Sequence, residues 1–230
     1  MERFAIEGKG LYNVIKMIKA ILFDMNGIII DDEHIHELAF QQTVQPYGVN
    51  LTHQEYLENC AGKTDRAGYE SIAEKFKVDL SIDLLLTQKS QTYLKLFPAN
   101  KKSYPWVIDL IWQLKKKFRL ALTSSSSKTE VELITKEFSI RDAFEVMITG
   151  DDVSKGKPDP EPYLKTAQLL KLIPNNCCVI EDSKSGILSA KSAGCFCIGV
   201  TTTHDKEALN KADVIVNSFG EITENLINNL

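Results

Sequence analysis

The stretch Ile18-Lys19-Ala20-Ile21-Leu22-Phe23-Asp24-Met25-Asn26-Gly27 sets an apolar run of strand length against an acid, an amide and a glycine. The run barely alternates, as expected of a strand covered on both faces. Working outward, similar short runs recur at 120–123, 145–149, 177–180, 195–200 and 213–216. Helical spacing lies between them. Val107, Leu110, Ile111 and Leu114 repeat at i, i+3, i+4, i+7, and Tyr163, Ala167 and Leu170 follow a similar stripe. This β-α rhythm predicts an α/β fold with a Rossmann-like parallel sheet.

One interval breaks the rhythm. Between the first run and the run at 120–123, the segments 33–47, 52–59, 66–76 and 82–97 all read as helices, with no strong strand among them. An all-helical cap domain inserted after the first strand is expected, with Pro98 and Pro105 marking the return to the core. The predicted division is an α/β core of 17–31 and 103–230, a helical cap of 32–102, and an N-terminal extension of 1–16. That extension reads equally as a tag, a misplaced start or a genuine arm.

Hydrophobic residues make up 43% of the 230 and charged residues 25%, with a net charge of −4, the balance of a soluble globular protein. No basic run suggests nucleic acid, and no apolar window has the length of a membrane span. Residues 1–10 lack the apolar stretch of a signal peptide. A cytoplasmic monomer is expected. The five cysteines form no C-x-x-C pair, and four sit in apolar runs, so buried thiols are expected.

Ligands of open parallel sheets bind at the carboxyl ends of the strands. Asp24 ends the first run, Thr123-Ser124 the second, and Glu181-Asp182 the fourth, while Gly156-Lys157-Pro158 follows the third. Asp24 and Asp182 are hard oxygen ligands suited to Mg2+. Lys157 offers a cation and Ser124 a neutral donor to phosphate oxygens. A carboxylate beside such cations can attack phosphorus. Gly27 would let backbone approach a ligand closely. Each residue also has a plainer role: Asp24 or Asp182 as a helix cap, Lys157 as a solvated lysine, the serines of 124–127 as a loop. Ser127 and Glu130 already form a capping-box pattern, which leaves Ser124 as the donor.

In order and spacing these residues resemble the haloacid dehalogenase superfamily, phosphatase branch, and within it the β-phosphoglucomutase-like group with a helical cap. The resemblance runs from Met17 onward. It implies that Asp24 is the nucleophile, that Ser124 and its neighbour Ser125 contact substrate, and that Lys157 binds phosphate. It implies Mg2+ as cofactor, held by Asp24, Asp182 and the carbonyl of Asn26, with Glu181 at or beside the metal. Asp31-Asp32-Glu33 and His36 resemble the linker into the cap.

Two departures stand out. The phosphatases and mutases of the group read Asp-x-Asp, with the second aspartate as general acid and base, but this chain has Asn26. Such help is worth about 10²–10⁴ in rate. Asn26 is read as an engineered trap, as a natural residue of a slow enzyme or binder, or as a precursor of aspartate, since Asn-Gly can deamidate. Second, Ala61 and Asp65 stand where the mutase cap loop carries basic residues. Gly62, Lys63, Arg66 and His36 remain candidates for substrate contact, with Arg66 and Lys63 equally suited to a solvated helix start. Trp106 replaces a common glycine and is expected to pack in the core.

The leading expectation is hydrolysis of a small sugar or polyol phosphate through an aspartyl-phosphate. The alternatives are a β-phosphoglucomutase-like phosphohexomutase and a catalytically silent binder of phosphorylated metabolites.

Overall fold

The computed structural model describes residues 17–61 and 64–230. The extension 1–16 and the cap-loop residues Gly62 and Lys63 lie outside the described residues.

Six strands form one sheet: β1 (Ala20–Phe23), β2 (Arg119–Thr123), β3 (Val146–Ile148), β4 (Cys177–Glu181), β5 (Phe196–Val200) and β6 (Val214–Val216). They lie in the order β3-β2-β1-β4-β5-β6, and every pairing is parallel. β1 and β4 are buried along their whole length, which is why their sequences do not alternate. Helices cover both faces. Apolar side chains of α5 (Val107–Lys115) and α6 (Lys128–Glu137) pack on one face with Ile21, Phe23 and Leu122. Those of α7 (Glu161–Leu169) and α8 (Lys184–Ala193) pack on the other with Ala20, Leu22 and Val179. A short α9 (Glu224–Asn228) closes the chain.

Between β1 and β2 come α1 (Glu33–Val44), α2 (His53–Asn59), α3 (Asp65–Phe76) and α4 (Ile82–Asn100), with no strand among the described residues. They bury a cluster of their own around Phe40, Tyr56, Tyr69 and Leu85. The roots of α1 and α4 instead join the core cluster through Ile35, Ala39, Tyr93 and Phe97. The insert is therefore an all-helical unit standing on the sheet's carboxyl edge. Among the described residues, no helix is long and apolar enough to cross a membrane.

Two expectations need correction. Pro98 does not end the helix: α4 continues to Asn100. A proline in the last turn forfeits only one helical bond, and the Leu96 carbonyl near the helix end accepts from Asn100 Nδ2 at 2.8 Å. Trp106 is not in the core. It is 69% exposed, with φ of 70°, immediately before α5. The apolar face of α5 is already filled by Val107, Leu110, Ile111 and Leu114, so the indole has no place beneath the helix. Its left-handed backbone is one that glycine adopts more readily. All five cysteines are buried, and none of them is in a disulfide.

Candidate active site

The chain runs from β1 outward through β2 and β3, then crosses back to β4 on the other side of β1. The crevice above β1 and β4 is thus the topological switch point, where such sheets bind ligands. Asp24 leaves the end of β1, Glu181 is the last residue of β4, and Asp182 follows it. All three are buried, and each offers a carboxylate oxygen within 4.8 Å of the others.

Lys157 reaches into this cluster. Its Nζ donates to Asp24 Oδ1 at 2.6 Å and to Glu181 Oε1 at 2.7 Å. Burial opposes the charge on Lys157, but the two carboxylates outweigh it and hold the ammonium charged. The two acids fare differently. Both oxygens of Glu181 are occupied: Oε1 by Lys157 and Tyr163, Oε2 by the Asp182 and Ser183 amides and the Ser183 hydroxyl. Those partners outweigh burial and keep Glu181 below the usual carboxylate range. For Asp24, burial wins over Lys157 and pushes the carboxyl up to about 7.

Asp182 is the least satisfied. Its Oδ2 accepts from the Thr203 hydroxyl, but its buried Oδ1 has no partner among the described residues. Burial, then Glu181 and Asp24, raise its pKa well above the ordinary value. A buried acceptor without a donor is costly. Three clustered carboxylates facing one lysine suit a hard divalent cation such as Mg2+. Gly27 completes the cradle. It has φ of +76°, and a Cβ there would sit 2.0 Å from Asp182 Oδ2. The glycine thus makes room for the Asp182 carboxylate.

On the insert side, Asn26 is held at both ends of its amide. Nδ2 donates to Asp32 Oδ2 at 2.9 Å, and Oδ1 accepts from Ser126 Oγ at 2.9 Å. Asp32 is buried and also accepts from Tyr93 Oη at 2.5 Å, with His36 Nε2 at 3.3 Å. Burial disfavours its charge, but His36, Tyr93 and Asn26 outweigh it and hold Asp32 below the ordinary value. His36 stacks on Tyr93, and its Nδ1 lies 3.0 Å from the buried Lys89 ammonium, which pairs with Asp65 at 2.6 Å. A continuous polar chain therefore links Asn26 on the sheet to α3 and α4.

Among the other expected residues, Ser124 is buried at the end of β2. Its Oγ accepts from Ser126 N at 3.1 Å, and its own hydrogen has no acceptor among the described residues. Ser125 is exposed. Ser127 and Glu130 cap α6 as a full capping box, and Ser183, not Asp182, caps α8. Arg66 is half exposed and bonded to Asp83. Four partners escaped the sequence. Tyr163 carried only a helical stripe. Thr203, Ser126 and Lys89 sit in unremarkable contexts and acquire meaning through contacts distant in sequence.

The model of the haloacid dehalogenase-like hydrolase family matches residues 21–200. The chain is 32% identical over 207 residues to validoxylamine A 7'-phosphate phosphatase of Streptomyces hygroscopicus subsp. limoneus, across 90% of this chain and 96% of that protein. It is 28% identical over 217 residues to a β-phosphoglucomutase of Bacillus subtilis, across 91% and 94%. CbbY from Rhodobacter sphaeroides, in a crystal structure in complex with phosphate, superposes with a TM-score of 0.80 and 29% identity, covering 93% of this chain and 100% of that one. The matched span takes in β1 through β5 and every acid of the crevice. On that ground the chain belongs to the haloacid dehalogenase-like hydrolase family.

Proposed function

We propose that the chain is a phosphatase that transfers the phosphoryl group of a small sugar or polyol phosphate to Asp24 and then to water. The observation that carries this is the crevice above β1 and β4, where a buried carboxylate touches a lysine beside an acid with an unpartnered oxygen. The naming of a similar protein, 31% identical over 178 residues, as a phosphorylated carbohydrates phosphatase supports the substrate class.

Asp24 forms the new bond to phosphorus as the bond to the ester oxygen breaks, and that oxygen takes a proton from solvent water and leaves as the alcohol. A second water then attacks phosphorus, the bond to Asp24 breaks, and the proton of that water returns to solvent, which frees the Asp24 carboxylate and inorganic phosphate. Lys157 holds the Asp24 carboxylate at 2.6 Å and offers its remaining hydrogen to a phosphate oxygen. Ser124 donates its free hydroxyl hydrogen to another. Glu181 keeps Lys157 in place, because both of its own oxygens are engaged. Asp24, Asp182 and the backbone carbonyl of Asn26 would hold Mg2+, which would supply charge neutralisation at the phosphate. The helices of 32–102 act as a cap that sequesters the crevice from solvent.

One observation favours a second reading, a silent binder of phosphorylated metabolites: position 26 carries an amide, which exchanges no proton. Phosphate release from a panel of sugar and polyol phosphates with Mg2+ decides between them. Release from some members is expected. Thermal stabilisation by those ligands with no release would replace the phosphatase with the binder.

A further inference from the structure

Asp32 occupies the N-cap position of α1, where aspartate ordinarily bonds a backbone amide of the first turn. Here its side chain makes no capping bond. The carboxylate instead turns toward β1, where Oδ2 collects Asn26 Nδ2, Tyr93 Oη and His36 Nε2. Oδ1 makes no hydrogen bond among the described residues, and unlike Asp182 Oδ1 it is not one of their solvent-inaccessible unpartnered atoms. One oxygen of the carboxylate is thus fully occupied, and the other is open to a water molecule.

Asn26 is the counterpart. Its amide is polarised, with the carbonyl end on Ser126 and the nitrogen end on Asp32. An aspartate at 26 would set a second carboxylate at contact distance from Asp32, an arrangement in which two ionised groups repel strongly. The Gly27 nitrogen, which would have to attack the amide for Asn26 to become aspartate, donates to the Ile30 carbonyl at 2.9 Å. Amide and acid are complementary as they stand.

We infer that Asn26 and Asp32 act as one unit, in which position 32 carries the carboxylate and position 26 the amide that anchors it, so that Asp32 Oδ1 holds the incoming water beside the phosphoryl group. Within the phosphatase chemistry proposed above, Asp32 is a positioning residue, and its contact is a hydrogen bond accepted from the water. Its other ties, to Tyr93 on α4 and His36 on α1, make the same carboxylate the joint between sheet and cap.

The test is a double-mutant cycle on the full chain with Asn26→Asp, Asp32→Asn and both together, read two ways. Melting without substrate or metal addresses the pair alone and holds whatever the chain acts on. Each single variant is expected to lose about 5 °C, since each breaks a buried polar network, and the double variant to regain most of it. Additive losses would overturn the pairing. Phosphate release addresses the role: Asp32→Asn should lower kcat about 100-fold with KM within about twofold, and the double variant should recover at least tenfold of that loss. Unchanged kcat in a well-folded Asp32→Asn, or a loss carried by KM alone, would overturn the role of Asp32.

Discussion

Two polar clusters sit within a few residues of each other at the end of β1, and they are built on opposite principles. Around Asp32 every charge has a counterpart: His36, Tyr93 and Asn26 hold the acid ionised, and Lys89 meets Asp65. Around Asp24 and Asp182, among the described residues, the acids outnumber the cations, one buried oxygen is unpartnered, and both pKa values are raised. The first cluster stabilises the protein as it is. The second is strained by its own charge, and a bound cation and an anionic substrate would relieve it. Burial alone does not separate the two, because Asp32 and Asp182 are equally deep. Satisfaction of the buried oxygens does.

The hardest test of that contrast is Asp24→Asn. Losing the proposed nucleophile should lower phosphate release by at least about 10³-fold. The same change removes one of the crowded charges, so the metal-free protein should melt higher than the parent. Asp32→Asn should melt lower. If both variants shifted melting in the same direction, the contrast between the clusters would fail. Gly27→Ala comes next in size. The added methyl group meets the Asp182 carboxylate, and the backbone there has φ of +76°. A cost of about 3 kcal/mol, or roughly 8 °C in Tm, is expected, together with weaker stabilisation by Mg2+. A Gly27→Ala protein with parental melting and parental response to Mg2+ would mean that Asp182 is not seated as described.

The satisfied cluster was far less legible in the sequence than the strained one. Asp24, Glu181 and Asp182 lie at or just beyond strand ends and Lys157 lies in the loop between β3 and α7, so a one-dimensional pattern of apolar runs points to them. The parallel sheet and the helical insert followed from the same pattern, because buried strands and amphipathic helices leave different periods in the chain. The network of Asp32, Tyr93, Lys89 and Asp65 joins residues up to 61 positions apart across α1, α3 and α4. Nothing in the local spelling of Lys89 marks it as a buried ammonium. Trp106 misled for a related reason: a large aromatic beside an apolar stripe reads as core until the helix face is seen to be full. Arg66 next to the cap loop reads equally as a substrate contact or a solvated helix start, and it bonds Asp83 on the surface.

The smallest expected effect probes the charge crowding directly. Asp24 is pushed up to about 7 from an unfolded value near 3.8, and Asp182 is raised as well. As pH climbs between those values the unfolded chain gives up protons that the native crevice retains, so the native state binds more protons and stability falls. Glu181 and Asp32 shift the other way; their contribution is present above the ordinary carboxylate range and is lost only as pH drops through their lowered values. Between pH 5 and 8, then, the strained cluster dominates the slope of this region. Contributions from the rest of the chain cancel in the difference between melting with and without Mg2+. That difference should be larger at pH 8 than at pH 5 by about 3 °C, because the cation competes with protons for Asp24 and Asp182. Asp182→Asn should remove most of that dependence while leaving the Asp32 network untouched. An Mg2+ shift that is the same at both pH values would place the cation away from these acids and leave the unpartnered Asp182 oxygen without the ligand assigned to it.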